Sequence, residues 1–245
     1  KLKKALYGTK QASRLWQETL RNFLKSHGFT PCVTDPCLYH YTGDEFKGSK
    51  FLIGIYVDDI VLAYSNREMY NWFLTKFCQP SGRFKTSEPT KLSWFLGMGI
   101  DQHDDFSVRV CQRKYIEDMV DKFLPGVKVH SIMRDTPGTV EQFNKLKPAS
   151  SDEERERMRT KPFLQLLGSL LYAGTMSRAD IQVYNSVLAK QMQDPSEAAF
   201  ELALQVLLYL YKTRDLCLHY SGDCLIEENL LKEYEFNTGI DGKAT

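Results

Sequence analysis

The stretch Phe51–Ala63, FLIGIYVDDIVLA, places two adjacent aspartates between two apolar runs. Runs of this length that are rich in Ile, Val and Leu are typical of buried strands. The chain would therefore turn at Asp58 and Asp59, although apolar strands usually turn through Gly, Asn or Pro. Two like charges this close repel each other, and a divalent cation with oxygen ligands would remove the repulsion. The alternative is a solvated hairpin turn that binds nothing.

The composition is that of an ordinary globular protein. Its 245 residues are 42% hydrophobic and 26% charged, which is enough material for one large domain or two subdomains. The net charge of +1 gives the whole chain no nucleic-acid signature, but residues 1–25 hold seven Lys and Arg residues against the lone Glu18. This basic segment fits contact with phosphate and a solvated helix face equally well.

The cysteines and the chain start bear on the class of protein. The six cysteines lack the paired spacing of a zinc site, which favours reduced thiols in an intracellular protein. No apolar stretch approaches the roughly 20 residues of a membrane span. The chain opens on KLKK without an initiator Met, so we expect it to be a piece of something longer.

Hydrophobic periodicity predicts a mixed first half and a helical second half, an α+β chain. Strands are expected around Asp58, and a hairpin across residues 102–105. Further elements of the first half are predicted over residues 10–26 (helix), 38–42 (strand), 66–78 (helix, capped by Asn66), 92–100 and 106–111 (strands), and 114–124 (helix). From residue 151 to 213 the pattern is helical, with a capping box at Ser177 and Asp180 and a helix start at Asp194.

Five separate motifs then resemble, in order, the reverse transcriptase of copia-type LTR retrotransposons. These are Lys4-Ala5-Leu6-Tyr7-Gly8-Thr9-Lys10-Gln11-Ala12, Tyr56-Val57-Asp58-Asp59, Phe95-Leu96-Gly97, Leu167-Gly168-Ser169-Leu170-Leu171-Tyr172 and Arg178-Ala179-Asp180-Ile181. The resemblance covers residues 1–221. The chain departs from the usual family pattern at Thr9, where the family has Leu, and at Ser13 and Ala179, where it has Pro.

The resemblance implies an RNA-directed DNA polymerase that transfers nucleotides by a two-metal mechanism. Two Mg²⁺ ions roughly 3.5–4 Å apart stabilise the attacking and leaving oxygens in such sites, with Mn²⁺ as an alternative ion. Asp58 is expected to be the main metal ligand, supported by Asp59. Tyr56 and Val57 would then sit beside the primer terminus.

Two other motifs would contact the nucleic acid or nucleotide. Lys10 and Gln11 open the first helix, where they would contact template or incoming nucleotide; otherwise they are ordinary first-turn polar residues. Leu96, Gly97 and Met98 resemble the primer-grip hairpin, in which a Gly lets backbone approach nucleic acid closely; otherwise the Gly marks a bulge in a plain hairpin. The Leu, Tyr and Met residues of the helical half are expected to form core.

The resemblance also implies a domain plan. Residues 1–125 are expected to form a polymerase palm, an antiparallel sheet with helices, and residues 126–221 an all-helical thumb or connection. The fingers and the upstream strand with the third catalytic Asp would lie before Lys1, and neither Asp35 nor Asp101 is at its position. Residues 222–245, which include Asp241, would lead toward an RNase H domain.

Partners and alternatives follow from the same resemblance. Template–primer, dNTPs and the rest of a polyprotein with integrase, fingers and RNase H are the expected partners, with no membrane, in cytoplasmic virus-like particles. Without the third Asp, residues 1–245 alone are expected not to polymerise. The alternatives are a decayed or repurposed element that acts only as a nucleic-acid-binding or assembly module, and a host metal-binding protein with an accidental resemblance.

Overall fold

A computed structural model describes residues 8–221, apart from the side chain of Lys10. The predicted stub at residues 222–245 with Asp241, and the start of the first motif at residues 4–7, lie outside the described residues. The described chain divides into two compact units, residues 8–90 and residues 91–221. The palm and thumb division expected at residues 125 and 126 stays a prediction.

The first unit is a four-stranded antiparallel sheet with two helices. The strand order is that of the sequence, so each strand pairs with the next along the chain. Its elements are α1 (Lys10–Ser26), β1 (Phe29–Pro31), β2 (Leu38–Tyr41), β3 (Phe51–Tyr56), β4 (Asp59–Tyr64) and α2 (Arg67–Phe77). The predicted helices and the strands around Asp58 are confirmed here.

The core of this unit forms where the strand and helix periods bring apolar side chains to one side. Phe51 and Ile53 alternate with exposed Leu52 on β3, so one sheet face is buried. Helix α2 begins after Asn66, whose side chain accepts hydrogen bonds from two backbone amides. Phe73 of this helix is buried in the core of the unit. The other buried members are Leu20, Phe23, Leu24, Phe29, Tyr39, Met69 and Phe77.

The second unit combines another four-stranded antiparallel sheet with six helices among the described residues. The sheet order is β5-β6-β7-β8. Its elements are β5 (Trp94–Phe95), β6 (Met98–Gln102), β7 (Val108–Cys111), α3 (Arg113–Phe123), α4 (Val140–Lys145), α5 (Asp152–Arg159), α6 (Phe163–Met176), α7 (Gln182–Ala189), α8 (Glu197–Lys212) and β8 (Cys217–Tyr220).

Two predictions for this unit are wrong in detail. The second half of the chain is not all helical, because Cys217–Tyr220 pairs with β7 as a strand. Residues 92–100 are not one strand, because the chain reverses at Leu96 and Gly97 between β5 and β6. Both errors concern pairing, which depends on where a distant or neighbouring strand lies rather than on the local pattern.

The predicted core of the helical half is confirmed for most of its leucines, whereas its tyrosines are only partly buried and Leu164 and Met192 are exposed. Helices α6 and α8 place fully buried side chains at helical spacing, such as Leu166 and Leu170 on α6 and Ala203 and Leu207 on α8. Helix α3 adds Ile116 to the same cluster. Because these side chains are 0–1% exposed, they hold the unit together and are not a contact surface.

The predicted capping box at Ser177 and Asp180 is wrong. Ser177 ends α6, and its hydroxyl donates a hydrogen bond of 2.7 Å to the buried Gln112 side chain. The Asp180 carboxylate accepts two hydrogen bonds from Arg178, at 3.0 and 2.7 Å, and one from Tyr209. Ser177 is thus occupied by a tertiary partner, and Asp180 by its neighbour Arg178 together with the distant Tyr209, so the two do not form a capping box.

The cysteines differ from the expectation of reduced thiols throughout. Cys111 on β7 lies opposite Cys217 on β8, and the two form a disulfide with their Cα atoms 4.6 Å apart. Directly opposed residues of antiparallel strands are close enough for this bond, and a separation of 106 residues hides the pairing in the sequence. Among the other cysteines in the described ranges, Cys32, Cys37 and Cys78 are free.

Within the described part of the chain, no helix is long and apolar enough to cross a membrane.

Candidate functional site

The turn that joins β3 to β4 is tight and strained. Tyr56 pairs with Asp59 at the end of the ladder, so Val57 and Asp58 form a two-residue turn. Val57 has φ of 54°, in the left-handed region, where a β-branched residue is a genuine outlier. Such strain costs about 1–3 kcal/mol and clusters at functional sites. The outlier therefore supports a functional role for this turn.

Trp16 connects helix α1 to the strained turn. Its indole Nε1 donates a hydrogen bond of 3.1 Å to the backbone carbonyl of Val57. The same ring packs edge-to-face on Phe84, with 5.6 Å between ring centroids. The bond fixes the orientation of the Val57 peptide and so the direction in which the following carboxylates leave the turn.

The same contact relates the predicted nucleotide-binding residues to the turn. Lys10 and Gln11 begin α1, and five residues of helix place Gln11 about 8 Å along the axis from Trp16. Gln11 is exposed, while the side chain of Lys10 lies outside what the structure describes. The first turn of α1 contains no acidic residue, so its backbone amides leave the positive end of the helix dipole uncompensated there.

Asp58 and Asp59 are both exposed at the turn. Within residues 8–221, no hydrogen bond or ion pair reaches either carboxylate, and no group of three or more His, Cys, Asp or Glu side chains is placed to hold a metal. Asp35, excluded earlier as the third carboxylate, instead accepts a hydrogen bond from the Cys37 amide. The described chain thus offers two oxygen-ligand side chains at this position.

One face of the sheet beside the carboxylates is open. Asp59 pairs with Tyr56 and therefore shares a face with it, and Gly54 pairs with Val61 on that same face. A Cβ added to Gly54 would meet no atom within 4 Å, so the space above this glycine is free among the described residues. The core residues of β3 point to the opposite face. The open face continues along the hairpin from Gly54 to Asp59.

The second predicted contact turn belongs to the other unit. Phe95 pairs with Met98, so Leu96 and Gly97 form a two-residue turn with φ of 50° and 72°. Two residues in the left-handed region are the signature of a type I′ hairpin. The Tyr172 hydroxyl donates a hydrogen bond to the carbonyl of Leu96.

The structure thus brings together one part of the predicted site. Tyr56, Val57, Asp58 and Asp59 form a single turn, and Trp16 ties that turn to the helix that begins with Lys10 and Gln11. The turn at Leu96, Gly97 and Met98 lies among residues 91–221 and is held by the elements of that unit.

Two residues of the site were missed as contributors from the sequence. The sequence predicts a helix over residues 10–26 without a role for Trp16, and Tyr172 is part of the Leu167–Tyr172 motif without a contact assigned to it. Their chemistry offered a signal, because a half-buried Trp or Tyr normally finds an acceptor for its N–H or O–H group. The sequence did not show which carbonyl accepts.

We expect Trp16→Phe to loosen the turn while the fold persists. The ring contact with Phe84 remains, but the hydrogen bond to Val57 is lost, which costs about 1 kcal/mol. Asp59 forms the last pair of the ladder with Tyr56. Hydrogen exchange at its backbone amide should accelerate about fivefold. Trp72→Phe is the matched control, since Trp72 is also half-buried in this unit and packs on Tyr41 and Phe46. Equal exchange rates in both variants would contradict the role given to Trp16.

Comparison with known proteins gives a consistent family. The sequence profile of the family described as "Reverse transcriptase (RNA-dependent DNA polymerase)" matches residues 1–128. The Retrovirus-related Pol polyprotein from transposon TNT 1-94 of Nicotiana tabacum is 28% identical over 96% of this chain and 17% of its own length. The putative transposon Ty5-1 protein of Saccharomyces cerevisiae is 27% identical over 88% of this chain and 65% of its own length.

A third relative also matches most of this chain over a small part of its own length. The Retrovirus-related Pol polyprotein from transposon RE1 of Arabidopsis thaliana is 28% identical over 87% of this chain and 13% of its own length. The chain therefore spans less than a fifth of the two plant polyproteins and about two thirds of the yeast protein. No solved structure matches the chain significantly.

Proposed function

The chain belongs to the reverse transcriptase (RNA-dependent DNA polymerase) family of copia-type retrotransposon Pol polyproteins, and we propose that it supplies the palm and thumb of such a polymerase. In this proposal residues 1–125 are the palm, residues 126–221 the thumb, and residues 222–245 the link toward an RNase H domain. A mixed chain of antiparallel sheets and helices is compatible with that assignment.

The observation that carries the proposal is the exposed Asp58-Asp59 pair at a strained two-residue turn. The Val57 outlier, the hydrogen bond from Trp16 and the open face beside Gly54 all concern the same end of the β3–β4 hairpin. A turn held in an unfavourable conformation is retained where its geometry serves a function. Nucleotidyl transfer needs carboxylates held in a fixed position beside an accessible surface.

The donor set fits Mg²⁺, which is usually held by one or two carboxylates together with substrate phosphates. Asp58 would be the main ligand and Asp59 the supporting one, with Mn²⁺ as an alternative ion. The bound ions would supply charge stabilisation at the attacking and leaving oxygens. A third carboxylate is expected by family resemblance from an upstream strand, and Asp101 on β6 is not assigned that role.

The other residues of the site would position the substrates. Tyr56 and Val57 lie at the turn, where they would face the primer terminus. Lys10 and Gln11 would contact template or incoming nucleotide at the positive end of α1. Leu96, Gly97 and Met98 would contact the primer strand through the backbone of the β5–β6 turn.

The expected partners follow from this role. They are an RNA or DNA template–primer, dNTPs and the remaining parts of a Pol polyprotein, since the matched plant relatives are five or more times longer than the matching segment. Assembly in a cytoplasmic virus-like particle is part of the same proposal.

Primer extension tests the proposal. The longer polyprotein that contains these residues should extend a DNA primer on an RNA template in the presence of Mg²⁺, while residues 1–245 alone should bind the duplex without extending it. Absence of extension by the longer protein with either Mg²⁺ or Mn²⁺ would contradict the polymerase assignment. Duplex binding without extension by that longer protein would favour the alternative, a nucleic-acid-binding or assembly module of a decayed or repurposed element.

A further inference from the structure

The first residue of the turn between β5 and β6, Leu96, is unfavourable for the backbone conformation of that turn. Type I′ turns favour Asn-Gly because both central residues have positive φ. Gly97 satisfies the second position, but the first is Leu96, whose Cβ makes the left-handed region unfavourable. The Leu96-Gly97 turn therefore needs support from outside its own hairpin.

Tyr172 provides that support. It lies on α6 between the fully buried Leu170 and Ala173, so its backbone is anchored in the core of the unit. Its hydroxyl donates to the carbonyl of Leu96 and lies 3.6 Å from the position of a Cβ built on Gly97. The hydroxyl thus bonds the first residue of the turn and lies next to the second.

A second tyrosine holds the ring of Tyr172 in place. Tyr115 on α3 packs edge-on against it, with 5.0 Å between ring centroids. The Tyr115 hydroxyl donates a hydrogen bond of 3.3 Å to the carbonyl of Ser169 and, among the described residues, none to the turn. The two tyrosines therefore share an environment but differ in what their hydroxyls reach.

The two predicted contact turns use the same arrangement. Among residues 8–221, three non-glycine residues have positive φ, namely Val57, Leu96 and Phe106. The first two lie in the turns predicted to contact the catalytic centre and the primer, and the carbonyl of each accepts a hydrogen bond from an aromatic side chain on a helix. The third, Phe106, is an 87% exposed residue of the β6–β7 connection.

We propose that Tyr172 is a positioning residue for primer binding, and that its hydroxyl fixes the Leu96 carbonyl so that the Leu96-Gly97 turn presents its backbone to the primer strand. This proposal rests on the proposed function. Primer-strand contact through a backbone turn depends on the orientation of its peptide groups, which the hydroxyl sets. Tyr172 itself touches no reacting atom.

The test compares Tyr172→Phe with Tyr115→Phe, each of which removes one hydroxyl and keeps its ring. In residues 1–245, Tyr172→Phe should accelerate hydrogen exchange at the Met98 amide about fivefold, whereas Tyr115→Phe should leave it unchanged. Leu96→Asn in the Tyr172→Phe background should restore protection of the Met98 amide, because Asn tolerates the left-handed region.

Primer extension by the longer polyprotein supplies the functional readout. Tyr172→Phe should raise the KM for template–primer about fivefold and leave the KM for dNTP unchanged, while Tyr115→Phe should change neither. Equal KM values for template–primer in Tyr172→Phe and wild type would overturn the role of Tyr172 alone. Absence of extension by the wild-type polyprotein would overturn the proposed function and this role with it.

Discussion

Asp180→Ala is expected to lower the free energy of unfolding by about 3 kcal/mol or more. The reason is the charge that it leaves behind, since the Arg178 side chain is 1% exposed and Asp180 is its ion-pair partner. Without that carboxylate, Arg178 would retain hydrogen bonds only to the carbonyl and hydroxyl of Thr213. A buried, uncompensated guanidinium is among the costliest local defects in a protein. Urea unfolding followed by circular dichroism measures the change.

Removing the arginine of this ion pair should lower the free energy of unfolding by less than removing the carboxylate. Arg178→Met leaves Asp180, whose side chain is 36% exposed and can be hydrated, so we expect a loss of about 1–3 kcal/mol. Arg157→Ala is the control, because Arg157 makes a similar two-point contact with Glu197 while both side chains are about half exposed. Its removal should cost far less than that of Asp180, because ion pairs between exposed side chains contribute little to stability. Equal losses in all three variants would contradict the importance of burial.

The contacts of Asp180 with Arg178 and Tyr209 also predict that the free energy of unfolding depends on pH. Burial raises the pKa of Asp180, but the hydrogen bonds from Arg178 and Tyr209 outweigh it and hold the pKa below the usual range. A carboxyl whose pKa is lower in the folded state contributes stability above its unfolded pKa and loses it as the pH falls through the folded value. The stability difference between wild type and Asp180→Asn should therefore shrink below about pH 4. A difference that stays constant down to pH 2 would count against the network.

Asp58→Asn in the longer polyprotein is expected to lower kcat for primer extension by about 10³-fold or more. This corresponds to about 4 kcal/mol of transition-state stabilisation, the scale on which a metal-held charge contributes. The amide keeps the size of the side chain and removes the charge that would hold Mg²⁺. Asp59→Asn should have a smaller effect, because Asp59 pairs with Tyr56 in the ladder and is proposed only as a supporting ligand.

Asp44→Asn is the matched control for this prediction. Asp44 is an exposed aspartate of the same unit, in the connection between β2 and β3. It should leave kcat unchanged, and all three variants should unfold at the same urea concentration as wild type. A kcat of Asp58→Asn within tenfold of wild type would remove Asp58 from the proposed catalytic role.

Much of the fold could be predicted because its signals are local. The helix over residues 10–26, the start of α2 at Asn66 and the strands around Asp58 follow from periodicity and capping. Apart from the local reversal at Leu96 and Gly97, the errors arose where a side chain or strand had a distant partner. Asp180 satisfies the sequence pattern of a cap, yet its carboxylate is bound by Arg178 and Tyr209, the latter from α8.

The candidate site also has parts that the sequence predicts and parts that only the structure shows. The carboxylate pair at a turn between apolar strands is visible in the sequence because its residue types are unusual there, and the turn at Leu96, Gly97 and Met98 follows from the family resemblance. The donors that hold the turns, Trp16 and Tyr172, are separated from their acceptors by 41 and 76 residues. No local pattern encodes such a bond, which forms only when packing brings the helix beside the hairpin.

The sequence by itself therefore determined the family and the two adjacent carboxylates, since both depend on residue identity and order. Only the tertiary structure showed that the turn bearing Asp58 is strained at Val57 and held from α1, and that Cys111 faces Cys217 across a sheet. The physical reason is that strain, burial and hydrogen bonding are properties of groups brought together by folding. Residues far apart in the chain supply both partners.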